Sequence, residues 1–286
     1  MGNNRVLCVV GLGLIGGSLA ASVRTAGARW RVRAVDRRRS ALDYALKRGL
    51  IDEAAPSLED GVAGAHLVVL ATPVGTIPGL LRRVAPLLGP EQVVTDVGST
   101  KATIVAAARR ELPAQVAFVG GHPVAGTERS GVESAEAGLF QGRSCVLTPV
   151  SDTPAAALDR VAGLWRELGA QVVLLEPEVH DRVFARLSHL PHAVAYCLVH
   201  TVATALPARQ LALGGGALRD LTRVAQSPPG LWKDICLENR EALAGALDEF
   251  VAALGRLREA VAAGDGEAVE EVFRQAAEVR SRSWML

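Results

Sequence analysis

The sequence predicts an α/β fold, with a doubly wound, mostly parallel sheet followed by an all-helical domain. Two observations predict it. Short apolar strands alternate with helical patterns from Arg5 to about Glu176, which is typical of a parallel sheet covered on both faces. From Pro177 onward only helical patterns follow. We therefore expect two domains, of residues 1–176 and 177–286.

A glycine-rich turn joins the first predicted strand to the first helix. Strand Arg5–Val10 is followed by Gly-Leu-Gly-Leu-Ile-Gly and then by an apolar helix. In this pattern Gly11 permits a tight turn, Gly13 lets a pyrophosphate approach the backbone, and Gly16 lets the helix pack closely on the strand. The second strand ends in Asp36, whose carboxylate can accept hydrogen bonds from ribose hydroxyls. The first domain is therefore predicted to be a Rossmann-type dinucleotide-binding domain.

We expect the dinucleotide to be NAD, with NADP the less favoured alternative. Asp36 would repel a 2′-phosphate, but the arginines at 37–39 directly after it could bind one. Thr72 and Pro73 follow the strand Leu67–Ala71, at the edge where such domains bind their ligand. The residues expected to contact the cofactor are Gly11, Gly13, Leu14, Ile15, Gly16, Asp36, Arg37, Thr72 and Pro73.

Composition argues against several classes of partner. The 286 residues carry a net charge of +1, so the chain offers no strong field to nucleic acid or to an anionic membrane. It has no apolar run long enough for a membrane span. Its four cysteines are far apart and are interpreted as reduced packing residues of a cytoplasmic protein. His189 and His192 lack the H-E-x-x-H pattern, and Pro191 interrupts the turn, so we expect no metal site.

The candidates for chemistry are polar residues at the carboxyl ends of the strands, where a dinucleotide fold binds its ligand. His122 follows the strand Val116–Val119, in a loop between paired glycines and a proline. We expect these glycines to let substrate and nicotinamide approach the backbone. The ordinary pKa of histidine suits removal of a hydroxyl proton during hydride transfer. Ser99, at the neighbouring strand end, could share that hydroxyl or could instead cap the helix that begins near Lys101.

A second group of polar residues lies in the helical half. Arg219 and Arg223 lie four positions apart, and therefore on one face of a helix. A solvated face is the simpler interpretation. The three glycines just before them and Thr222 between them suggest instead an anion pocket, because arginine binds a carboxylate with two parallel hydrogen bonds.

An apolar stripe recurs at helical spacing near the end of the chain. Its members are Leu243, Leu247, Phe250, Leu254, Leu257 and Val261. Core packing explains such a stripe, and so does a subunit interface. A helical domain of this size cannot easily bury every apolar stripe by itself, so we expect a homodimer.

With these residues assembled, the chain resembles the prephenate/arogenate dehydrogenase family of tyrosine biosynthesis over nearly its whole length. The resemblance rests on the glycine-rich turn and on five further stretches. These are Asp-Val-Gly-Ser-Thr-Lys at 96–101, Gly-Gly-His-Pro-Val-Ala-Gly-Thr-Glu at 120–128, His-Asp at 180–181, Ser-His-Leu-Pro-His at 188–192 and Asp-Leu-Thr-Arg at 220–223. It implies a nucleotide-binding domain, a helical dimerisation domain and an active site between them.

The resemblance also implies a reaction, the NAD-dependent oxidative decarboxylation of prephenate to 4-hydroxyphenylpyruvate. Hydride leaves ring C4 for NAD, carbon dioxide leaves, and the ring becomes aromatic. His122 would polarise or deprotonate the ring hydroxyl, with Ser99 assisting. The residues implied to bind the substrate are Arg223, His192, Glu128 and Thr127, and those implied to support the site are Asp181 and Asp220.

Several alternatives stay open at this point. Arogenate and 4-amino-4-deoxyprephenate are also substrates that fit the family. A β-hydroxyacid dehydrogenase or an imine reductase would share the fold but would not need the Gly-Gly-His-Pro stretch. A dinucleotide sensor without catalytic activity would leave His122 and Arg223 unexplained.

Overall fold

The computed structural model describes residues 5–28 and 30–283, and of Ser283 it describes only the backbone. Within these residues one sheet contains eight strands: β1 (Arg5–Val10), β2 (Trp30–Val35), β3 (Glu53–Ala54), β4 (Leu67–Leu70), β5 (Val93–Asp96), β6 (Ala117–Pro123), β7 (Ser144–Thr148) and β8 (Gln171–Leu174). Their order is β3-β2-β1-β4-β5-β6-β7-β8. Strands β1 to β6 are parallel, β7 is antiparallel to β6, and β8 is parallel to β7. The predicted doubly wound, mostly parallel sheet is confirmed.

Six α-helices lie between the strands in the described residues: α1 (Leu14–Thr25), α2 (Arg39–Lys47), α3 (Leu58–Val62), α4 (Ile77–Val84), α5 (Ala102–Glu111) and α6 (Ala155–Glu167). The apolar residues of β1 alternate between two cores. Leu7 and Val9 belong to one buried cluster, and Cys8 and Val10 belong to the other. Because successive side chains of a strand point to opposite faces, the sheet has a core on each side.

Strand β6 is longer than predicted and changes its partner along its length. Its first three residues pair with β5 in parallel, and Gly120 to Pro123 pair with β7 in antiparallel register. His122 therefore lies within a strand, opposite Val146, and not in a loop. The two glycines before it are explained by packing, because a Cβ at Gly120 would lie 2.3 Å from Oγ1 of Thr148.

Helices alone follow β8 in the described residues: α7 (Pro177–Phe184), α8 (Leu190–Ala205), α9 (Ala208–Leu211), α10 (Gly216–Thr222), α11 (Pro229–Glu238), α12 (Arg240–Ala263) and α13 (Gly266–Ser283). A π-helical turn, Ala185–His189, joins α7 to α8. The helical pattern in the sequence from 181 to 205 is therefore interrupted by this turn, and Asn239 separates α11 from α12. None of the helices in 5–28 and 30–283 has the length and apolar character needed to span a bilayer.

The chain forms two compact units, which divide between Asn239 and Arg240. The predicted domain boundary between 176 and 177 lies within the first unit, where the sheet ends and the helices begin. The second unit contains α12 and α13. Large apolar side chains are exposed along both helices: Phe250, Val251, Leu254, Val261, Val272, Phe273 and Val279.

Candidate active site

The glycine-rich turn lies at the switch point of the strand order, where β1 and β4 meet. Gly11 has a φ of +103°, and a Cβ there would lie 2.5 Å from the carbonyl oxygen of Ala71. A Cβ at Gly16 would lie 2.0 Å from the carbonyl oxygen of Gly11, so α1 packs directly on the turn. At Gly13, by contrast, no described residue other than its two chain neighbours comes within 4 Å of a Cβ position. This open space and the N–H groups of the first turn of α1, formed by Leu14 and Ile15, fit a bound pyrophosphate.

Asp36 follows β2 and is tied to the same turn. Its Oδ2 accepts the Leu12 N–H at 2.7 Å, and its Oδ1 accepts the Arg38 N–H at 2.8 Å. Each carboxylate oxygen keeps a further lone pair, which fits a ribose hydroxyl. Arg38, and not the exposed Arg37 named from the sequence, reaches back to the turn, where its Nη2 donates to the Leu12 carbonyl at 3.1 Å.

Thr72 and Pro73 form the turn that follows β4. The Cγ2 of Thr72 would lie 2.9 Å from a Cβ at Gly11, so Thr72 lies directly beside the glycine-rich turn. The Thr76 hydroxyl donates to the Pro73 carbonyl at 2.7 Å and also lies 2.8 Å from Oγ1 of Thr72. This arrangement is compatible with the predicted cofactor contacts, which stay predictions.

His122 lies in a buried row of polar groups that joins β6 to α7. His122 is only 8% exposed to solvent. Its Nδ1 lies 2.8 Å from Nε2 of His180, and Nδ1 of His180 lies 2.8 Å from Oδ1 of Asp181. The ring of Phe184 packs against both imidazoles, with centroids 4.7 Å from His122 and 4.4 Å from His180. The row is thus packed against an aromatic ring as well as linked by hydrogen bonds.

Burial controls the protonation of these histidines. It lowers the pKa of His122 well below the ordinary 6.5, and the nearby His180, Lys101 and His189 lower it further. Burial also lowers the pKa of His180, although its hydrogen bond to Asp181 acts in the opposite direction. Both rings are therefore neutral near pH 7. In its neutral form His122 carries a lone pair that can accept a proton.

A buried ion pair fixes the strand segment that precedes His122. Lys101 and Asp96 are both fully buried, and the Lys101 ammonium binds the Asp96 carboxylate and donates to the Gly121 carbonyl at 2.8 Å. The same carboxylate accepts the N–H groups of Gly98 at 2.8 Å and Gly121 at 3.1 Å. The carboxyl ends of β5 and β6 are therefore held together through the pair.

Ser99 lies half-buried in the segment between β5 and α5. The alternative role considered for it, capping α5, is wrong, because the cap comes from α7. Asp181 accepts the Lys101 N–H at 2.8 Å and the Ala102 N–H at 2.9 Å. Its carboxylate thereby satisfies two of the N–H groups that a helix start leaves without intrahelical partners. That Ser99 assists at the substrate hydroxyl stays a prediction.

Arg223 and Glu128 bind each other across 95 sequence positions. Arg223 is the more exposed side chain, at 63% against 28% for Glu128. The pKa of the Glu128 carboxyl is lowered by a hydrogen bond to its own backbone N–H and by the Arg223 guanidinium. In this structure the guanidinium is paired with Glu128, and the predicted anion pocket stays a prediction. Arg219 is exposed on α10.

His192 stacks on Trp232, with ring centroids 3.5 Å apart and an angle of 19° between the rings. Its Nδ1 donates to the Ser188 carbonyl at 2.9 Å. Burial lowers the pKa of His192, and the nearby Arg223 guanidinium lowers it further. His192, Trp232 and Arg223 thus form a second group of candidate substrate contacts.

His189, three residues earlier, is fully buried at the end of the π-helical turn. Its Nδ1 accepts from Nδ2 of Asn239 at 3.1 Å, and that amide also donates to the Asp181 carbonyl at 2.8 Å. Burial lowers its pKa to about 4. His189 is therefore a neutral residue of the interior that ties α11 to α7.

Thr127 and Asp220 have the least support from the geometry. Both are exposed, and Oγ1 of Thr127 accepts the Arg129 N–H at 3.3 Å. Their proposed roles in binding and support stay predictions.

Sequence reasoning missed several residues that build the site. The residues it did not single out are Phe184, Trp232 and Asn239, and it noticed Lys101 and His180 only as members of motifs. Their contacts join elements far apart in the chain, so no local spacing reveals them. The usable signals were the Asp-Val-Gly-Ser-Thr-Lys stretch at 96–101 and the His-Asp pair at 180–181.

Two family models match the chain. Residues 19–174 match the prephenate dehydrogenase nucleotide-binding domain, and residues 176–275 match the prephenate dehydrogenase dimerization domain. Together they account for most of the sequence.

Individual proteins agree with the family models. The chain is 36% identical to a cyclohexadienyl dehydrogenase of Zymomonas mobilis, over 96% of this chain and 94% of that protein. It is also 36% identical to a prephenate dehydrogenase of Bacillus subtilis, over 96% of this chain and 75% of that protein. A crystal structure of prephenate dehydrogenase from A. aeolicus, in complex with hydroxyphenyl propionate and NAD+, superposes with a TM-score of 0.90 at 35% identity, covering 98% of both chains. The chain therefore belongs to the prephenate dehydrogenase family.

Proposed function

We propose that this protein catalyses the NAD-dependent oxidative decarboxylation of prephenate to 4-hydroxyphenylpyruvate, a step of tyrosine biosynthesis. The observation that carries the proposal is a buried, neutral histidine, His122, on the strand next to the one that leads to Ser99. A buried neutral imidazole is suited to accept a hydroxyl proton. The named relatives from Bacillus subtilis and A. aeolicus support prephenate as the substrate.

NAD is the cofactor that the nucleotide-binding residues fit. The open space at Gly13 and the start of α1 would hold the pyrophosphate, and Asp36 would bind the ribose hydroxyls. When bound, NAD supplies the acceptor for the hydride of ring C4. The relative from A. aeolicus binds NAD+, which supports the same choice here.

His122 handles the proton of the reaction. It accepts the proton of the ring hydroxyl as C4 is oxidised, and a carbon–oxygen double bond forms. When the bond to the ring carboxylate breaks, carbon dioxide leaves, its bonding electrons make the ring aromatic, and the oxygen takes the proton back from His122. Because aromatisation drives the reaction forward, the main tasks of the protein are to position the ring and to manage this proton.

Arg223 is proposed to hold a carboxylate of the substrate. Its guanidinium binds Glu128 and remains largely exposed, and its five N–H donors leave capacity for a second carboxylate. His192 and the indole of Trp232 stack beside it and would contact the substrate from another side. Hydroxyphenyl propionate, bound by the A. aeolicus relative, is also a carboxylate with a hydroxyl on its ring.

The protein is also proposed to act as a homodimer in the cytoplasm. The matched dimerization domain supports assembly, and the exposed apolar residues of α12 and α13 are proposed as part of the interface. All four cysteines are free thiols, which suits a reducing compartment.

A direct assay tests the proposal. The purified full chain is given NAD or NADP with prephenate, arogenate or 4-amino-4-deoxyprephenate, and the absorbance of reduced nicotinamide is followed. We expect the highest kcat/KM with prephenate and NAD. Preference for either amino-bearing substrate would reassign the substrate, and absence of turnover with all three would overturn the proposed activity.

A further inference from the structure

We propose that His180 and Asp181 act as positioning residues that fix the tautomer of His122, with the proton on Nδ1 and the lone pair on Nε2. The inference rests on the proposed function for its catalytic meaning, but the tautomer itself is a property of the protein alone. It follows from the direction in which each hydrogen bond of the buried row must run.

The direction is set at Asp181. Its Oδ1 accepts the Lys101 N–H at 2.8 Å and its Oδ2 accepts the Ala102 N–H at 2.9 Å, both at the start of α5. Backbone N–H groups can only donate, and the positive end of the helix dipole favours the charged carboxylate. Asp181 is therefore an acceptor at both oxygens.

His180 must then donate to Asp181. Its Nδ1 lies 2.8 Å from Oδ1 of Asp181, and an ionised carboxylate offers only lone pairs, so Nδ1 carries a proton. A neutral imidazole carries one proton, which leaves Nε2 of His180 as an acceptor. Nε2 lies 2.8 Å from Nδ1 of His122.

His122 must in turn donate to His180. Two lone pairs at 2.8 Å would repel, so Nδ1 of His122 carries its proton. The lone pair of the neutral His122 ring then lies on Nε2, the atom that accepts the substrate proton. Once it has done so, the proton on Nδ1 stays in place and its hydrogen bond to His180 becomes charge-assisted.

With Asp181 ionised, the hydrogen bond between His180 and His122 could run in the opposite direction only if His180 were doubly protonated. The charges facing the two rings argue against this. Lys101, at the start of α5, opposes a positive charge on His180, as does burial, whereas Asp181 and Asp96 favour one, and the balance lowers the pKa of His180. His180 is therefore neutral at pH 7. His122 is neutral as well, because His180, Lys101 and His189 all oppose its protonation.

The row also has a mechanical basis. Phe184 packs on both imidazoles from the same helix that carries His180, with its ring nearly parallel to that of His180, at 26°. Lys101 binds the carbonyl of Gly121, next to His122 in β6. The rings are thus restrained by packing and by backbone as well as by each other, so the hydrogen bonds act on fixed rings.

The tautomer is tested by nuclear magnetic resonance on ¹⁵N-histidine-labelled full chain, without substrate or cofactor. Two-bond correlations distinguish protonated from unprotonated ring nitrogens, and His122→Asn identifies the His122 signals by their loss. We expect His122 protonated at Nδ1 and unprotonated at Nε2 at pH 7. A proton on Nε2 with an unprotonated Nδ1 would overturn the proposal.

Variants of His180 test the mechanism of control. His180→Phe keeps a ring at this position but offers no acceptor to Nδ1 of His122. We expect it to abolish the preference for the Nδ1–H form of His122. We also expect it to lower kcat about 10- to 100-fold, which is part of what a general base contributes. His180→Gln offers an amide oxygen to Nδ1 of His122, and we expect it to restore the Nδ1–H form and part of kcat. Should Gln and Phe give the same spectrum and the same kcat, the hydrogen bond is not the cause.

Phe184→Leu is the matched control, because it alters packing on the same two rings and leaves every hydrogen bond of the row. We expect it to retain the Nδ1–H form. Loss of that form in Phe184→Leu would assign the tautomer to packing and overturn the role of His180. If His180→Phe does not fold, the spectra of wild type and His180→Gln still decide the question.

The two proposals fail in distinguishable ways. No turnover with any of the three substrates, together with an Nδ1–H spectrum, would overturn the proposed activity alone. Turnover of prephenate with His122 protonated at Nε2 would overturn the tautomer proposal alone.

Discussion

Asp181 lies 80 positions from Lys101 in the chain, yet its carboxylate accepts the Lys101 N–H at 2.8 Å. One side chain of α7 thereby caps α5 and holds His180. The contact joins the helices that follow the sheet to the carboxyl ends of β5 and β6, and so it couples the stability of the fold to the arrangement of the candidate catalytic group.

Removing this carboxylate should therefore destabilise the protein. We expect Asp181→Ala to lower the free energy of unfolding by about 2–4 kcal/mol, because α5 loses its cap and the buried Nδ1–H of His180 loses its acceptor. Urea denaturation measures the change. Asp159→Ala, at an exposed position of α6, is the matched control. Equal midpoints for the two variants would contradict the capping role.

The sequence predicted the sheet well because its signals are local. The glycine-rich turn and the apolar strands from Arg5 to Leu70 depend on the geometry of short segments, and the structure confirms them. The end of β6 was missed for the opposite reason. Its extension to Pro123 depends on antiparallel pairing with β7, whose residues come 21 or more positions later, and no local pattern records that pairing.

The residues of the candidate site likewise divide into those with a local signal in the sequence and those without one. His122 could be chosen from the sequence because a histidine between paired glycines and a proline at the end of a strand is unusual. Arg223 could be chosen because it follows three glycines and lies four positions after Arg219, and the structure places both residues in polar groups. The groups around them could not be chosen. Asn239 contacts Asp181 of α7 and His189 of the π-helical turn, which lie 58 and 50 positions earlier in the chain. Trp232 of α11 stacks on His192 of α8, again across a long separation in sequence.

Replacement of Arg223 should affect substrate binding more than turnover. We expect Arg223→Ala to raise KM for prephenate about 10- to 100-fold with a smaller change in kcat, because a carboxylate present in the ground state loses a charge-assisted partner. Steady-state kinetics measure both constants. The pair with Glu128 is exposed, so the unfolding midpoint should not move.

Arg219→Ala is the control for Arg223. It removes the same charge one helical turn earlier on α10, and we expect near-native KM. If the two variants raise KM equally, the general positive charge of α10 attracts the substrate, and Arg223 has no specific role.

Cofactor choice should depend on Asp36. We expect Asp36→Ala to weaken the binding of NAD more than that of NADP. The ribose hydroxyls of NAD would lose an acceptor, whereas the 2′-phosphate of NADP would no longer be repelled by a carboxylate. The measurement is the ratio of kcat/KM with the two cofactors. Asp36 also holds the Leu12 N–H, so Asp36→Asn, which keeps an acceptor without the charge, separates the two effects. Better native activity with NADP than with NAD would show that the arginines at 37–39 dominate.

Assembly should depend on the apolar faces of the second unit. We expect a dimer mass by light scattering at micromolar concentration, because Leu254, Val261 and Phe273 are more than half exposed in the single chain. Leu254→Glu should shift the equilibrium toward monomer, whereas Arg256→Glu, a charge change on the same helix, serves as its control. A monomer mass for the unaltered chain would exclude the interface.

The pH dependence of catalysis should reflect the burial of His122. A general base works only when unprotonated, and burial lowers the pKa of His122 well below 6.5. The neutral form therefore persists as the pH falls, and the acid limb of kcat/KM should lie below pH 6.5 instead of near neutrality. We expect His122→Asn to lower kcat by roughly 10²–10⁴ with little change in KM, and to abolish that limb. His200→Asn, at an exposed position of α8, should leave kcat and the acid limb of kcat/KM unchanged. Near-native turnover of His122→Asn with all three substrates would show that another group takes the proton.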